Sequence, residues 1–204
     1  MPETQKRELL ERFLGDDDCT SAIVFTRTKH RARRLADQLS KAGHRAVGLQ
    51  GNMSQGQRDR AMGGFRSGRY EILVATDIAA RGIDVSGISH VINFDVPNTP
   101  EAYTHRIGRT GRSGVEGRAC TFVTHEDGAW VRDTERMIGS PIQVRKVEGI
   151  DEVAFDRNGP RRKQGNSSNR PGSRQNGRPR QGEGRGSGSR RRSGGGGRRS
   201  GARR

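Results

Sequence analysis

The stretch EILVATDIAARGIDV, Glu71 to Val85, begins as one kind of structure and ends as another. Ile72, Leu73 and Val74 are consecutive aliphatic residues, a run that suits a short strand buried on both faces. Thr76, Asp77, Gly82 and Asp84 follow at once, and they are residues of turns and sites, not of a continuing strand. Four other segments share the short apolar character: Ser21–Thr26 (SAIVFT), Arg45–Leu49, His90–Phe94 (HVINF) and Gly117–Thr124. Between them lie helical patterns. Glu8–Leu14 carries Leu9, Leu10, Phe13 and Leu14 on one face. Lys29–Lys41 carries Ala32, Leu35, Ala36 and Leu39 at i, i+3, i+4 and i+7, and Gly43 stops it. Ser54 caps a helix to about Phe65, Pro100 opens one toward Ile107, and Asp127–Ile138 is the last. Strands alternating with helices predict an α/β fold with a mainly parallel sheet covered on both faces. Such sheets place ligands at the carboxyl ends of their strands, here the loops after Phe25, Leu49, Ala75 and Phe94.

The charge is unevenly distributed. The 204 residues carry a formal +16, but residues 157–204 hold fifteen Arg, one Lys and one acid, Glu183. Residues 1–156 hold 23 basic and 22 acidic residues. Residues 157–204 have no aromatic, Leu, Ile, Val or Met, so they cannot bury enough apolar surface to offset their ordering entropy. The tail reads as a disordered polycation that binds nucleic acid through phosphates, with steep salt dependence and little sequence preference. The expected organisation is a linker and first helix over 1–18, one domain over 19–150, and the Arg/Gly-rich tail over 151–204. Cys19 and Cys120 sit in no CxxC pair and read as buried free thiols of a reducing compartment, with no metal site. No segment approaches the length of a membrane span, and a cytoplasmic location is expected.

Three segments invite chemistry. In ATDIAARGIDV, the Thr76 hydroxyl and nearby backbone N–H groups could meet a phosphate, Gly82 permits close approach or positive φ, and Asp84 could accept from a sugar hydroxyl. Read alone, the segment is as well an ordinary turn, with Asp77 as a cap and Arg81 paired to it. In QGNMSQGQRDR, Gln50 to Arg60, Gln55 and Arg58 lie one turn apart near a helix N-terminus, where an anion is favoured; an ordinary capped helix is the simpler reading. HRIGRTGR, His105 to Arg112, is different. A basic helix end is favoured by the macrodipole, but that does not explain Gly108 and Gly111. They end the helix and let Arg109 and Arg112 project, an arrangement suited to a phosphoryl group.

FTRTK, QGNMSQGQR, ATDIAARGID and HRIGRTGR, in this order, resemble the second RecA-like domain of DEAD-box RNA helicases over roughly residues 5–147. The resemblance implies a three-layer α/β/α RecA-like domain and assigns roles by position. Arg109 and Arg112 match the arginine fingers on the ATP γ-phosphate, and Asp84, beside Gly82, matches the ribose contact. His105 and Arg81 match residues that couple to the acidic motif of the first domain. Thr76, Arg58, Gly51 and Thr28, with Gln55, match contacts to the RNA backbone. Gln50 and Asn52 stand where many members have His and Asp. The 204 residues contain no GxxxxGK[ST] and no DEAD tetrapeptide, so ATP and Mg²⁺ are expected to be held mainly by a first RecA-like domain, with this chain inactive alone. The expected partners are RNA and that domain, with no membrane. The alternative is a stand-alone RNA-binding or RNA-chaperone module working through the tail without ATP; a DNA-directed relative is a weaker third reading.

Overall fold

The computed structural model describes residues 1–83, 85, 87–112 and 116–152. The elements run in the order α1 (Lys6–Leu14), β1 (Ala22–Phe25), α2 (Lys29–Lys41), β2 (Ala46–Leu49), α3 (Gln55–Arg66), β3 (Ile72–Ala75), α4 (Asp77–Ala80), β4 (His90–Asn93), α5 (Pro100–Ile107), β5 (Arg118–Thr121) and α6 (Gly128–Ile138). Single 3-10 turns sit at Glu3–Gln5 and His125–Asp127. The five strands form one all-parallel sheet in the order β2-β3-β1-β4-β5. The expected alternation and parallel sheet are present. The strands are shorter than the apolar runs, and α4 occupies a segment read as loop.

Strand order follows from the crossovers. The chain leaves β1 through α2 and returns through α3 to pair β3 between β1 and β2; β4 then pairs on the other side of β1. Right-handed crossovers in opposite directions put α2 and α3 on opposite faces. Side-chain alternation along the strands agrees. Val24, Ile72, Val74 and Ile92 pack with Leu9, Leu10, Leu35 and Leu39 of α1 and α2. Ile23, Phe25, Leu73 and Val91 pack with Ala61 and Phe65 of α3 and Ala79 and Ala80 of α4. Each large aliphatic side chain so buried contributes about 1.5–3 kcal/mol. The result is a three-layer α/β/α domain.

Local signals read from the sequence hold at the helix starts. Thr28 caps α2 by accepting from Arg31 N at 3.2 Å. Ser54 and Gln57 form a reciprocal capping box on α3. Thr99 caps α5, with Pro100 in its first turn. The cysteines differ from expectation in burial: both are free but half-buried. Burial, with Asp16 and Glu71 nearby, pushes the Cys19 thiol up to about 11. Burial pushes Cys120 up to about 12.

The approach to the domain is fastened by an ion cluster around the buried Lys6 and Asp95. Lys6, 2% exposed, lies 3.0 Å from Glu3 and 3.6 Å from Asp95. Asp95 is also 3.3 Å from Arg31 and accepts from Arg27 N at 2.9 Å. Arg31 also pairs with Glu3 and stacks over Phe94. A buried ammonium needs such partners to stay charged.

Candidate functional site

The arginine segment divides at Gly108. Before it, Arg106 is 2% exposed on α5. Its Nε and Nη2 donate to the two carboxylate oxygens of Asp77 at 2.5 and 2.8 Å. Its Nη1 donates to Asn93 Oδ1 at 3.0 Å and to the Asp95 carbonyl at 2.8 Å. The guanidinium lies 4.8 Å from the Phe25 ring centroid. One side chain thereby clamps the ends of β1, β3 and β4. Asp77 was read as a turn cap or a partner of Arg81; it is the partner of Arg106 instead, because a buried guanidinium must be paired and a bidentate carboxylate satisfies its fork. The sequence reading gave Arg106 no role and did not pair it with Asp77. The signal that could have found them is an acid directly after a buried strand together with an arginine on an otherwise covered helix face.

After Gly108 the backbone turns out of the helix. Arg109 Nη1 donates to the Ile83 carbonyl at 2.7 Å, and Arg112 Nε donates to the Gly108 carbonyl at 2.6 Å. Arg109 is half-buried and Arg112 exposed. Among the described residues, Arg109 has no carboxylate partner. Between them, the Thr110 hydroxyl donates to the carbonyls of Ile88 and Ser89, which clips the segment to the main chain just before β4. α5 runs back along the sheet from the carboxyl end of β4, so Arg106 reaches the carboxyl ends of the strands while Thr110 lies beside the amino end of β4. The remaining site segments do lie beyond the carboxyl ends. Asp84 lies outside the described residues, but Arg109 is bonded to the carbonyl that immediately precedes it. Gly82 and Gly111, at φ of 75° and 66°, take backbone conformations that side chains disfavour.

A groove of about 340 Å³ brings together Gln55, Arg58, Arg81 and Gly82. Arg58 Nη2 donates to the Ala79 carbonyl at 3.1 Å, tying α3 to α4. Gln55 Nε2 donates to Asp59 Oδ1 at 2.8 Å. Gly51 is exposed in the turn after β2. Lys29 Nζ donates to Asn52 Oδ1 at 3.1 Å and joins that turn to the start of α2, where Thr28 sits. Gln50 Oε1 accepts from Asn52 N at 3.3 Å, so both unusual side chains shape the loop. Thr76 is mostly buried and begins α4 without capping it. His105 and Arg81 are exposed, and among the described residues neither side chain makes a hydrogen bond or ion pair. Among the described residues no group of three or more His, Cys, Asp or Glu could hold a metal ion. No helix there is long and apolar enough to cross a membrane.

A covered parallel sheet in this order, bearing basic loops and a glycine-flanked arginine segment, defines a RecA-like lobe. The chain belongs to the helicase conserved C-terminal domain family, which matches residues 5–114, and within it to the DEAD-box proteins. It is 45% identical over 151 residues to the DEAD-box ATP-dependent RNA helicase CshA of Bacillus subtilis, covering 74% of this chain and 31% of that protein. CshA of Geobacillus kaustophilus is also 45% identical, with 74% and 32% covered. The chain therefore spans about a third of the length of these curated relatives. Among solved structures, the E. coli DEAD-box protein SrmB, bound to regulator of ribonuclease activity A, superposes with a TM-score of 0.69 at 41% identity, covering 72% of this chain and 86% of that one. The C-terminal domain of the DEAD-box protein Dbp5 gives 0.61 at 35% identity, covering 67% and 79%.

Proposed function

We propose that this chain supplies the second lobe of an ATP-dependent RNA helicase, which remodels short RNA duplexes when it closes with a first RecA-like lobe around ATP and RNA. The observation that carries the reading is Arg109, held on a neutral carbonyl at the end of a glycine-broken helix. A guanidinium on a carbonyl leaves it at lower cost than one on a carboxylate, so Arg109 can turn to an incoming γ-phosphoryl group. Arg112 is its companion, and Asp84 with Gly82 takes the ribose. ATP with Mg²⁺ is held mainly by the first lobe, where the metal neutralises phosphate charge. His105 and Arg81, whose side chains are exposed, meet the acidic motif of that lobe. Thr28, Gly51, Gln55, Arg58 and Thr76 follow the RNA sugar-phosphate backbone, which gives binding without sequence readout. In this scheme residues 1–18 are the linker and first helix, 19–150 the lobe, and 151–204 a basic RNA tether. A cytoplasmic location suits such a protein.

The test is reconstitution. A separately made first RecA-like domain from a close relative is mixed with this chain, ATP and RNA, and ATP hydrolysis is measured. Activity is expected only on mixing. If mixing yields none while RNA still binds in a salt-sensitive way, the chain is an RNA-binding module acting through its tail, and the enzyme reading falls.

A further inference from the structure

The groove between α3 and Arg81–Ile83 holds more positive charge than the scheme above uses. Its lining has three arginines, Arg58, Arg66 and Arg81, against one carboxylate, Asp59. That carboxylate accepts the Gln55 amide. Among the described residues, none of the three guanidiniums pairs with a carboxylate. Arg58 is bonded to the Ala79 carbonyl, while Arg66 and Arg81 are exposed. Like charges lining a concave surface focus a positive potential and favour an anionic occupant.

The spacing defines the occupant further. Arg58, Met62 and Arg66 recur at four-residue steps along α3 and all line the groove. Arg58 and Arg66 are separated by about 12 Å of helix rise, a span that several consecutive phosphates cover and a single anion does not. Met62 provides an apolar surface between the two cations. The last turn of α3 is anchored, since Tyr70 N and Ser67 Oγ both donate to the Gly64 carbonyl, at 3.1 and 3.2 Å. Phe65, beside Arg66, is buried in the core. A cation in the last turn of a helix is favoured by the macrodipole. That accounts for a charge at Arg66, but not for its sharing a groove with Arg58 and Arg81.

We infer that Arg66 is a further phosphate-binding residue, which extends the RNA track from the N-terminus of α3 to its C-terminus, with Met62 against the sugar between bound phosphates. The inference rests on the RNA reading of Gln55 and Arg58. It is tested on the full chain by fluorescence anisotropy with a labelled oligouridylate over a potassium chloride series, comparing wild type with R58A, R66A, R66K and R60A. Arg60 is an exposed α3 arginine outside the groove, and the basic tail contributes the same background to every variant. R66A should lower the magnitude of the log–log salt slope by about 0.7, one single-strand phosphate contact, and weaken binding severalfold beyond R60A. R66K should keep the wild-type slope. If R66A matches R60A while R58A binds more weakly, the inference is overturned and the RNA reading stands. If R58A also matches R60A, both fall. If R66K loses as much slope as R66A, the effect is one of packing and the inference is again overturned.

Discussion

Arg106 and Arg109 are three residues apart in the same basic segment, and they are used in opposite ways. Arg106 is buried, held by both oxygens of Asp77 and stacked over Phe25. Its charge is spent inside the domain. Among the described residues Arg109 reaches a backbone carbonyl and no carboxylate, so its charge remains available to a ligand. The difference teaches that the role of an arginine is set by what accepts its hydrogen bonds. Gly108 is the divide: it ends α5, and beyond it Arg109 and Thr110 reach main-chain carbonyls of the segment before β4.

Substitutions on the two sides should therefore fail differently. Arg109→Ala should lower the ATPase rate of the reconstituted lobes by about 10³-fold or more, while urea unfolding stays within about 0.5 kcal/mol of wild type; an unchanged rate would remove Arg109 from the chemistry. Arg106→Met should do the reverse first, costing about 3 kcal/mol in the same urea titration because a buried pair loses one partner. A small change would mean that Asp77 finds water easily and that the clamp is weak. Gly117→Ala tests whether the segment must be seated. A β-carbon there would collide with the Thr110 side chain and the Gly111 main chain. The expected cost is about 1–3 kcal/mol, as for other overpacked sites, with a fall in reconstituted activity larger than the stability loss explains. Equal activity to wild type would show that the fingers tolerate displacement.

The smallest effect concerns the cysteines, far from the fingers in role. Both thiols are raised above their ordinary value of 9.0, to about 11 and about 12. A raised thiol favours the folded state through its protonated form. That contribution is complete below 9.0 and is lost as pH rises from there through the folded values. Native alkylation at mildly alkaline pH should thus be slow compared with denatured chain, and slower at Cys120 than at Cys19. Equally rapid labelling of both in native protein would contradict the burial that raises them.

Much of the fold was legible in local patterns. The α2 periodicity gave its limits, Ser54 and Pro100 marked helix starts, and consecutive aliphatic residues marked strands buried on both faces. The site was legible as four segments, and Gln55, Arg58, Arg81 and Gly82 do share one groove. One reading failed. Asp77 was assigned to its own turn, whereas it pairs with Arg106. That pairing depends on where α5 lies, and nothing within α5 states its direction across the sheet.

Sequence by itself determined which residues form helices and strands, where the charge accumulates and which motifs are present, because backbone preference and apolar period act between near neighbours. Tertiary structure alone decided that Arg106 meets an acid 29 residues away, that Thr110 clips to the chain before β4, and that Arg66 shares a groove with Arg81. Those contacts arise only after the crossovers have stacked α3, α4 and α5 on one sheet, where burial makes some charges pair and leaves others free to bind.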